Sequence, residues 1–250
     1  MIYEKLPVLL LSAIAVEKND SINSGIARAI LAHPDYIQTL GIKDMAAYCH
    51  VGTSTLSRFC KAIGLEDFYE LRALIQSTDF TPEINANDIS THVNQVKFAL
   101  DYTVESVDTH CLDQLCIQLH KSRNTAAFGL LKAMSAAISF QTDMNLQGKP
   151  VYTNLSFTEQ MTYLKEAGPD DLILLFSYTG SYFDALTEHL NLNSLLSNIW
   201  IICGKEPNTL PDNAHILKFQ SDSSLDGHPY QLLMAADMIV RRYAKLFPEH

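Results

Sequence analysis

Ser54, Ser57, Arg58 and Lys61, preceded by Thr53 and Thr55, set hydroxyls and two cations at spacings that gather them on one side of a helix. At about 100° per residue, Leu56, Phe59, Cys60 and Ile63 fall on an apolar stripe, and Ser54, Ser57, Arg58 and Lys61 cluster opposite it. A preceding helix over roughly Lys43 to Cys49 offers Met45, Ala46 and Cys49 at compatible spacing. The intervening His50-Val51-Gly52-Thr53 is short enough to hold the two helices at a steep angle, with Val51 at the corner. This pattern predicts a helix-turn-helix over about 43–63. Its second helix would present its N-terminal residues to the major groove of double-stranded DNA, where arginine bonds guanine edges and hydroxyls reach bases or phosphates. The competing reading of Arg58 and Lys61 is the solvated face of a small helical domain.

A second group of hydroxyls follows an apolar run: Leu174-Leu175-Phe176 leads into Ser177-Tyr178-Thr179-Gly180-Ser181, ahead of an expected helix over about Tyr182 to Leu195. Side-chain hydroxyls, a glycine that lets the backbone turn and a helix N-terminus together favour an anion such as phosphate. Against this stands the simpler role of Ser177 and Thr179 as helix caps. Proton transfer needs a positioned base, and Glu159, Glu188, His189 and His228 are candidates, though none has a spacing that marks it as catalytic. Asp226-Gly227-His228-Pro229 reads as a turn before a closing helix. The histidines and cysteines are scattered, and Cys111 and Cys116 fall on different sides of a helix, so neither a metal nor a cofactor is expected.

The elements that position these groups divide the chain in two. Residues 1–76 read as helical, 77–90 as a polar, Pro-interrupted linker, and 91–250 as alternating strands and helices. Short unbroken apolar runs at Thr125 to Gly129, Asp171 to Phe176, Ile199 to Cys203 and Ile216 to Phe219, with Val151-Tyr152-Thr153 as a further strand, predict a parallel sheet covered by helices on both faces. Helices are expected at about 91–107, 109–121, 130–147, 157–167 and 229–246. Such sheets bind ligands at the carboxyl ends of their strands, which is where Gly129 and the Ser177–Ser181 run fall. The fold class is therefore an all-α helix-turn-helix domain followed by an α/β domain.

The chain of 250 residues carries a formal net charge of −10. Seven Lys/Arg against nine Asp/Glu leave −2 through Phe80, and the remainder carries −8. Neither part is basic, which excludes a general polyanion binder. DNA contact would have to be local, acting within a screening length of about 10 Å, and two copies would be needed to engage two half-sites. Leu6 to Val16 is too short to span a bilayer, and Glu4 precedes it. It reads as a buried helix that could pack across a dimer, and no membrane partner is expected. The five cysteines, odd in number and in apolar contexts, suit reduced core thiols of a cytoplasmic protein.

Arg58-Phe59-Cys60-Lys61, then Ile63-Gly64-Leu65 and Phe68-Tyr69-Glu70-Leu71, resemble the N-terminal domain of RpiR-type transcriptional regulators, which join a helix-turn-helix to a sugar isomerase (SIS) domain. Ile26 to Leu31 with His33-Pro34 resembles that family's first core helix and the turn closing it. His50 stands in place of the family's turn glycine, and Gly52 in place of the serine that usually caps the second helix. The Ser177–Ser181 loop resembles the Ser-x-Ser-Gly-x-Thr signature of SIS domains, with Thr179 for the second serine and Tyr182 for the final threonine. The family's Gly-x-Gly-x-Ser loop reads Gly129-Leu130-Leu131-Lys132-Ala133, so Leu131 replaces the second glycine. The resemblance implies a non-enzymatic, homodimeric regulator of sugar metabolism genes. It implies a phosphorylated sugar effector held by Ser177, Tyr178, Thr179, Gly180 and Ser181 beside Gly129, and an operator read by Thr53, Ser54, Thr55, Ser57, Arg58 and Lys61. Two further readings stay open: an SIS-type sugar-phosphate isomerase with an accessory helical domain, and a regulator whose SIS domain only dimerises.

Overall fold

The computed structural model describes residues 5–18, 20–80, 88–184, 191–221 and 227–248. The chain separates into two compact units, residues 1–83 with 155–161, and residues 84–154 with 162–250.

The first unit is helical: α1 (Lys5–Val16), α2 (Ile22–Ala32), α3 (Pro34–Ile37), α4 (Ile42–Tyr48), α5 (Thr53–Ala62) and α6 (Phe68–Ser77). Local chemistry sets the boundaries. The Ser21 side chain accepts the Ser24 amide at 3.1 Å to open α2, and Pro34 occupies the first turn of α3. Asp67 accepts the amides of Tyr69 and Glu70 at 2.8 and 3.0 Å to open α6. Glu70 in turn accepts from Lys5 at 2.8 Å, pinning α6 to α1. Leu6, Leu9, Leu10, Ile26, Ile30, Leu56, Phe59 and Leu71 close the core, each at most 2% exposed. The expected buried N-terminal helix is therefore α1.

Helix ends in this chain share one device. After α4 and α5, a residue with positive φ lets two amides reach back to carbonyls of the last turn. At α4 the residue is His50 (φ 55°), with its amide on Ala47 O at 3.0 Å and the Val51 amide on Ala46 O at 2.9 Å. At α5 it is Gly64 (φ 88°), with the Leu65 amide on Cys60 O at 2.9 Å. His50, which stands where the resemblance expects a glycine, thus adopts a backbone that glycine favours, and Val51 sits half-buried in the corner.

The second unit runs α7 (Ile89–Ser106), α8 (Thr109–Lys121), β1 (Thr125–Gly129), α9 (Met134–Leu146), α10 (Phe157–Glu166, whose first residues cluster with the other unit), β2 (Leu172–Phe176), β3 (Asn198–Cys203), β4 (Ala214–Lys218) and α11 (Tyr230–Leu246). The strands form one parallel sheet in the order β1-β2-β3-β4. All five residues of β1 and of β2 are buried, as the unbroken apolar runs require. In register, Phe128 lies beside Leu175, so Phe176 points to the opposite face. Phe128 meets Tyr163 of α10 on one face, and Phe176 meets Phe140 of α9 on the other. On the α9 side, Trp200 donates to Gln118 of α8 at 2.7 Å. Helices therefore cover both faces, as expected.

Three expectations change. Val151-Tyr152-Thr153 is not a strand but a single bridge in which Tyr152 flanks Ala126. The last strand begins at Ala214 rather than Ile216, and as the final strand in the order it exposes His215 and Lys218. The helix expected over Tyr182 to Leu195 is absent from its described ends: residues 181–184 form turns and Leu192–Ser194 a 3-10 turn, while 185–190 lie outside the described residues. In the linker, residues 81–87 likewise lie outside them.

Replacing His50 by glycine should stabilise the chain. The left-handed backbone costs a side-chain-bearing residue about 1–2 kcal/mol, against about 0.5–1 kcal/mol of extra unfolded-state entropy for glycine. We expect urea unfolding of His50→Gly to show a gain of about 0.5–1 kcal/mol; unchanged or lower stability would mean that His50 makes compensating contacts.

Candidate functional site

The helix-turn-helix places all six sequence-predicted residues on α5. Leu56, Phe59 and Cys60 are fully buried and Ile63 is 5% exposed, so the apolar stripe faces inward. Thr53, Ser54, Arg58 and Lys61 are exposed, and Thr55 and Ser57 are half-buried. Gly52 caps the helix without a side chain, leaving the first turn unobstructed. Ser57 donates to Thr53 O at 3.0 Å, and Arg58 donates to Thr55 at 3.3 Å. The result is a stripe of donors, Ser54, Arg58 and Lys61, standing away from the core on a helix held by its opposite face. Such a stripe can hydrogen-bond base edges and phosphates.

The second site lies at the carboxyl ends of the strands. Beyond β2, the Ser177 amide donates to Ile202 O at 3.0 Å, the Gly180 amide to Ser177 O at 2.9 Å and the Gly204 amide to Tyr178 O at 3.0 Å. These bonds lock the loop after β2 onto the loop after β3. Gly180 has φ 72°, and a Cβ there would meet Lys205 O at 2.8 Å and Pro207 at 2.9 Å, so only glycine fits. Gly129 is similarly constrained: a Cβ would lie 2.7 Å from the Ala133 backbone. Ser177 is 8% exposed, while Thr179 and Ser181 are half-buried with their hydroxyls bonded to each other. The loop thus pairs two hydroxyls and carries a third, on Ser177, at its start. Tyr178 and Tyr182 point inward, 2% and 1% exposed.

Leu131, which stands where the resemblance expects a glycine, adopts a left-handed backbone with φ 53°. The neighbouring Lys132 is exposed, and its charge reaches His228. His228, which the sequence places in a simple turn, packs its ring 4.8 Å from that of Tyr178. Its Nδ1 is buried and has no hydrogen-bond partner among the described residues. Burial first, and then the Lys132 ammonium, push the imidazole down to about 4, so it is neutral at pH 7. Of the other candidate bases, Glu159 is exposed on α10, and Glu188 and His189 lie outside the described residues, as does Asp226.

Sequence reasoning passed over Gln231. It is completely buried in α11 and accepts the Tyr178 hydroxyl at 3.0 Å. A glutamine among the apolar residues of a helix face is the signal that was available. Arg241 and Arg242 of α11 pair with Asp237 and Asp113. The cysteines are free thiols: Cys60, Cys116 and Cys203 are buried, Cys49 and Cys111 half-buried. Burial pushes Cys60 up to about 11 and Cys116 and Cys203 up to about 12. Cys111 and Cys116 contact different elements, through Ile216 O and Ile239 O. Among the described residues no helix is long and apolar enough to cross a membrane.

The neutral His228 links stability to pH. Its unfolded form takes a proton near pH 6.5 and its folded form only near 4, so stability falls as pH drops between these values. The full displacement corresponds to a loss on the order of 3 kcal/mol. We expect His228→Gln to flatten the stability profile across pH 6.5 to 4 in urea titrations; parallel profiles for the two proteins would refute the assignment.

Comparison with known proteins adds to this geometry. The helix-turn-helix domain of the rpiR family matches residues 14–80. An uncharacterised HTH-type transcriptional regulator of Haemophilus influenzae is 27% identical over 120 residues, which is 42% of this chain and 42% of the relative. The HTH-type transcriptional regulator HexR of Pseudomonas aeruginosa is 24% identical over 166 residues, 62% of this chain and 58% of HexR. The chain thus spans about half the length of these relatives. Among solved structures, the Vibrio vulnificus NanR protein complexed with ManNAc-6P shares the fold at TM-score 0.55 and 16% identity, covering 98% of this chain and 93% of NanR. A protein of E. coli CFT073, also solved as a complex, matches at TM-score 0.54 and 16% identity, over 67% of this chain and 95% of its own. The likeness to the rpiR family is thus carried by the helix-turn-helix at residues 14–80, and the likeness to NanR is one of fold along nearly the whole chain.

Proposed function

We propose that the chain is a sequence-specific, DNA-binding transcriptional regulator of sugar metabolism genes, controlled by a phosphorylated sugar at the SIS-type unit. The observation that carries this reading is the exposed donor stripe of α5, held by a fully buried opposite face. Thr53, Ser54, Thr55, Ser57, Arg58 and Lys61 contact the operator. The domains are 1–76 for DNA, 77–90 as linker and 91–250 for effector and dimerisation. The protein acts in the cytoplasm as a homodimer, because one such acidic chain offers too few cations for tight binding and two recognition helices can engage half-sites about 34 Å apart.

In the effector loop the amides of Ser177 and Gly180 are already spent within the fold. A phosphate is therefore held chiefly by the hydroxyls of Ser177, Thr179 and Ser181, with Gly129 and Gly180 allowing close approach and Tyr178 shaping the loop from below. Lys132, whose charge acts on His228, and the His228 Nδ1, which has no hydrogen-bond partner among the described residues, are the further polar groups this reading assigns to the phosphate. The fold shared with a structure that holds ManNAc-6P supports this choice of ligand. The likeness of residues 14–80 to a regulator's helix-turn-helix supports a non-enzymatic reading, and we assign no catalysis. Leu131 supports a second reading, in which its bulk closes the pocket and the SIS-type unit only dimerises.

The test is binding of the purified chain to the DNA upstream of its own gene and its neighbours, with and without a panel of sugar phosphates that includes ManNAc-6P. Arg58→Ala should weaken specific binding by about tenfold or more and relax its sequence preference. One sugar phosphate should alter operator affinity, Ser177→Ala should lose that response, and Leu131→Gly should tighten effector binding. Specific DNA binding indifferent to every sugar phosphate would favour the closed pocket. Turnover of a sugar phosphate without specific DNA binding would favour the isomerase reading.

A further inference from the structure

Gln231 is a buried amide whose orientation is fixed by its surroundings. Its Nε2 lies 2.8 Å from Thr103 Oγ1, 3.0 Å from Ala99 O and 3.0 Å from Gln220 O. Thr103 spends its own proton on Ala99 O at 2.8 Å, so it can only accept from the amide. With acceptors on the nitrogen side, the oxygen must face Tyr178, and the Tyr178 hydroxyl must donate to it, at 3.0 Å. The tyrosine proton is therefore committed inward. Packing tightens the same knot: a Cβ on Gly227 would lie 2.7 Å from Gln231 Oε1 and 2.8 Å from Ala99 Cβ.

One side chain thus joins the loop after β2, through Tyr178, to α7, through Ala99 and Thr103, and to the segment after β4, through Gln220. In sequence α7 is the first helix after the polar linker. We propose that Gln231 is a positioning residue, and that the Tyr178–Gln231 hydrogen bond makes the state of the Ser177–Ser181 loop felt at α7. Buried polar groups carry such coupling well, because a lost partner leaves a desolvated atom that the surroundings must accommodate. The link between loop and helix stands on the geometry alone; its use in sensing rests on the reading of the loop as the effector site.

Amide hydrogen exchange on the full chain tests both parts. Tyr178→Phe removes the hydroxyl and leaves the ring between Phe219 and His228. Without ligand, exchange over Ala99–Val107 should accelerate about three- to tenfold, while α8, which also packs on α11, stays unchanged. Gln231→Met should produce the same change, and adding Tyr178→Phe to it should add nothing. Should Gln231→Met fail to fold, Tyr178→Phe decides alone. Unchanged exchange at α7, equal acceleration of α7 and α8, or additive losses in the double variant would each overturn the proposal. On adding ManNAc-6P or inorganic phosphate, the wild type should gain protection in both the loop and α7, and Tyr178→Phe in the loop alone. Equal protection of α7 in both proteins would overturn the relay. No protection of the wild type by either ligand would count against the effector site, with the ligand-free comparison still deciding the link itself.

Discussion

A parallel sheet buried on both faces can show polar chemistry only at its ends, and that constraint governs the second unit. β1 and β2 present nothing but buried residues along their length. The polar groups that the chain can offer a ligand are consequently confined to the loops where the strands stop. There the backbones crowd together, with Gly129 against the first turn of α9 and Gly180 against the loop after β3, at separations that exclude any side chain. The hydroxyls of Thr179 and Ser181 meet in the loop that follows β2, where Ser177 directly follows the strand.

The first unit obeys a different economy. Its helices are short, and each needs its ends satisfied if it is to persist. Serine and aspartate caps open α2 and α6, and left-handed residues close α4 and α5. With ends and core arranged in this way, α5 can leave a full face of hydroxyls and cations to solvent. Net acidity does not oppose this, because a contact at DNA responds to charges within a screening length rather than to the sum over the chain.

The sequence was most legible where a single physical pattern dominates. The apolar runs marked β1, β2 and β3 to within a residue, and the wheel of α5 separated buried from exposed positions correctly. The turn at His50 was readable because histidine tolerates the left-handed region. Legibility failed where tertiary contacts decide. Tyr152 pairs at one residue rather than along a strand, and β4 shifts toward Ala214 because its partner is β3 rather than its own hydrophobicity. Residues 181–184 form turns where helical periodicity suggested the start of a helix. Gln231 stayed hidden for a related reason: Tyr178, Ala99 and Thr103, three of the groups that bond it, lie 53 or more residues away in sequence.

The last strand in the order, β4, carries a consequence for the solution behaviour of the chain. Its exposed positions hold His215 and Lys218, and Lys218 is paired with Glu206 at 2.6 Å. An edge of continuous apolar residues would template the addition of another molecule's strand, and from there an ordered aggregate. A charged, salt-bridged border makes that growth unfavourable without disturbing the interior. Acidity and edge charge together act as a solubility device, which leaves self-association to be decided by faces that have a use for it.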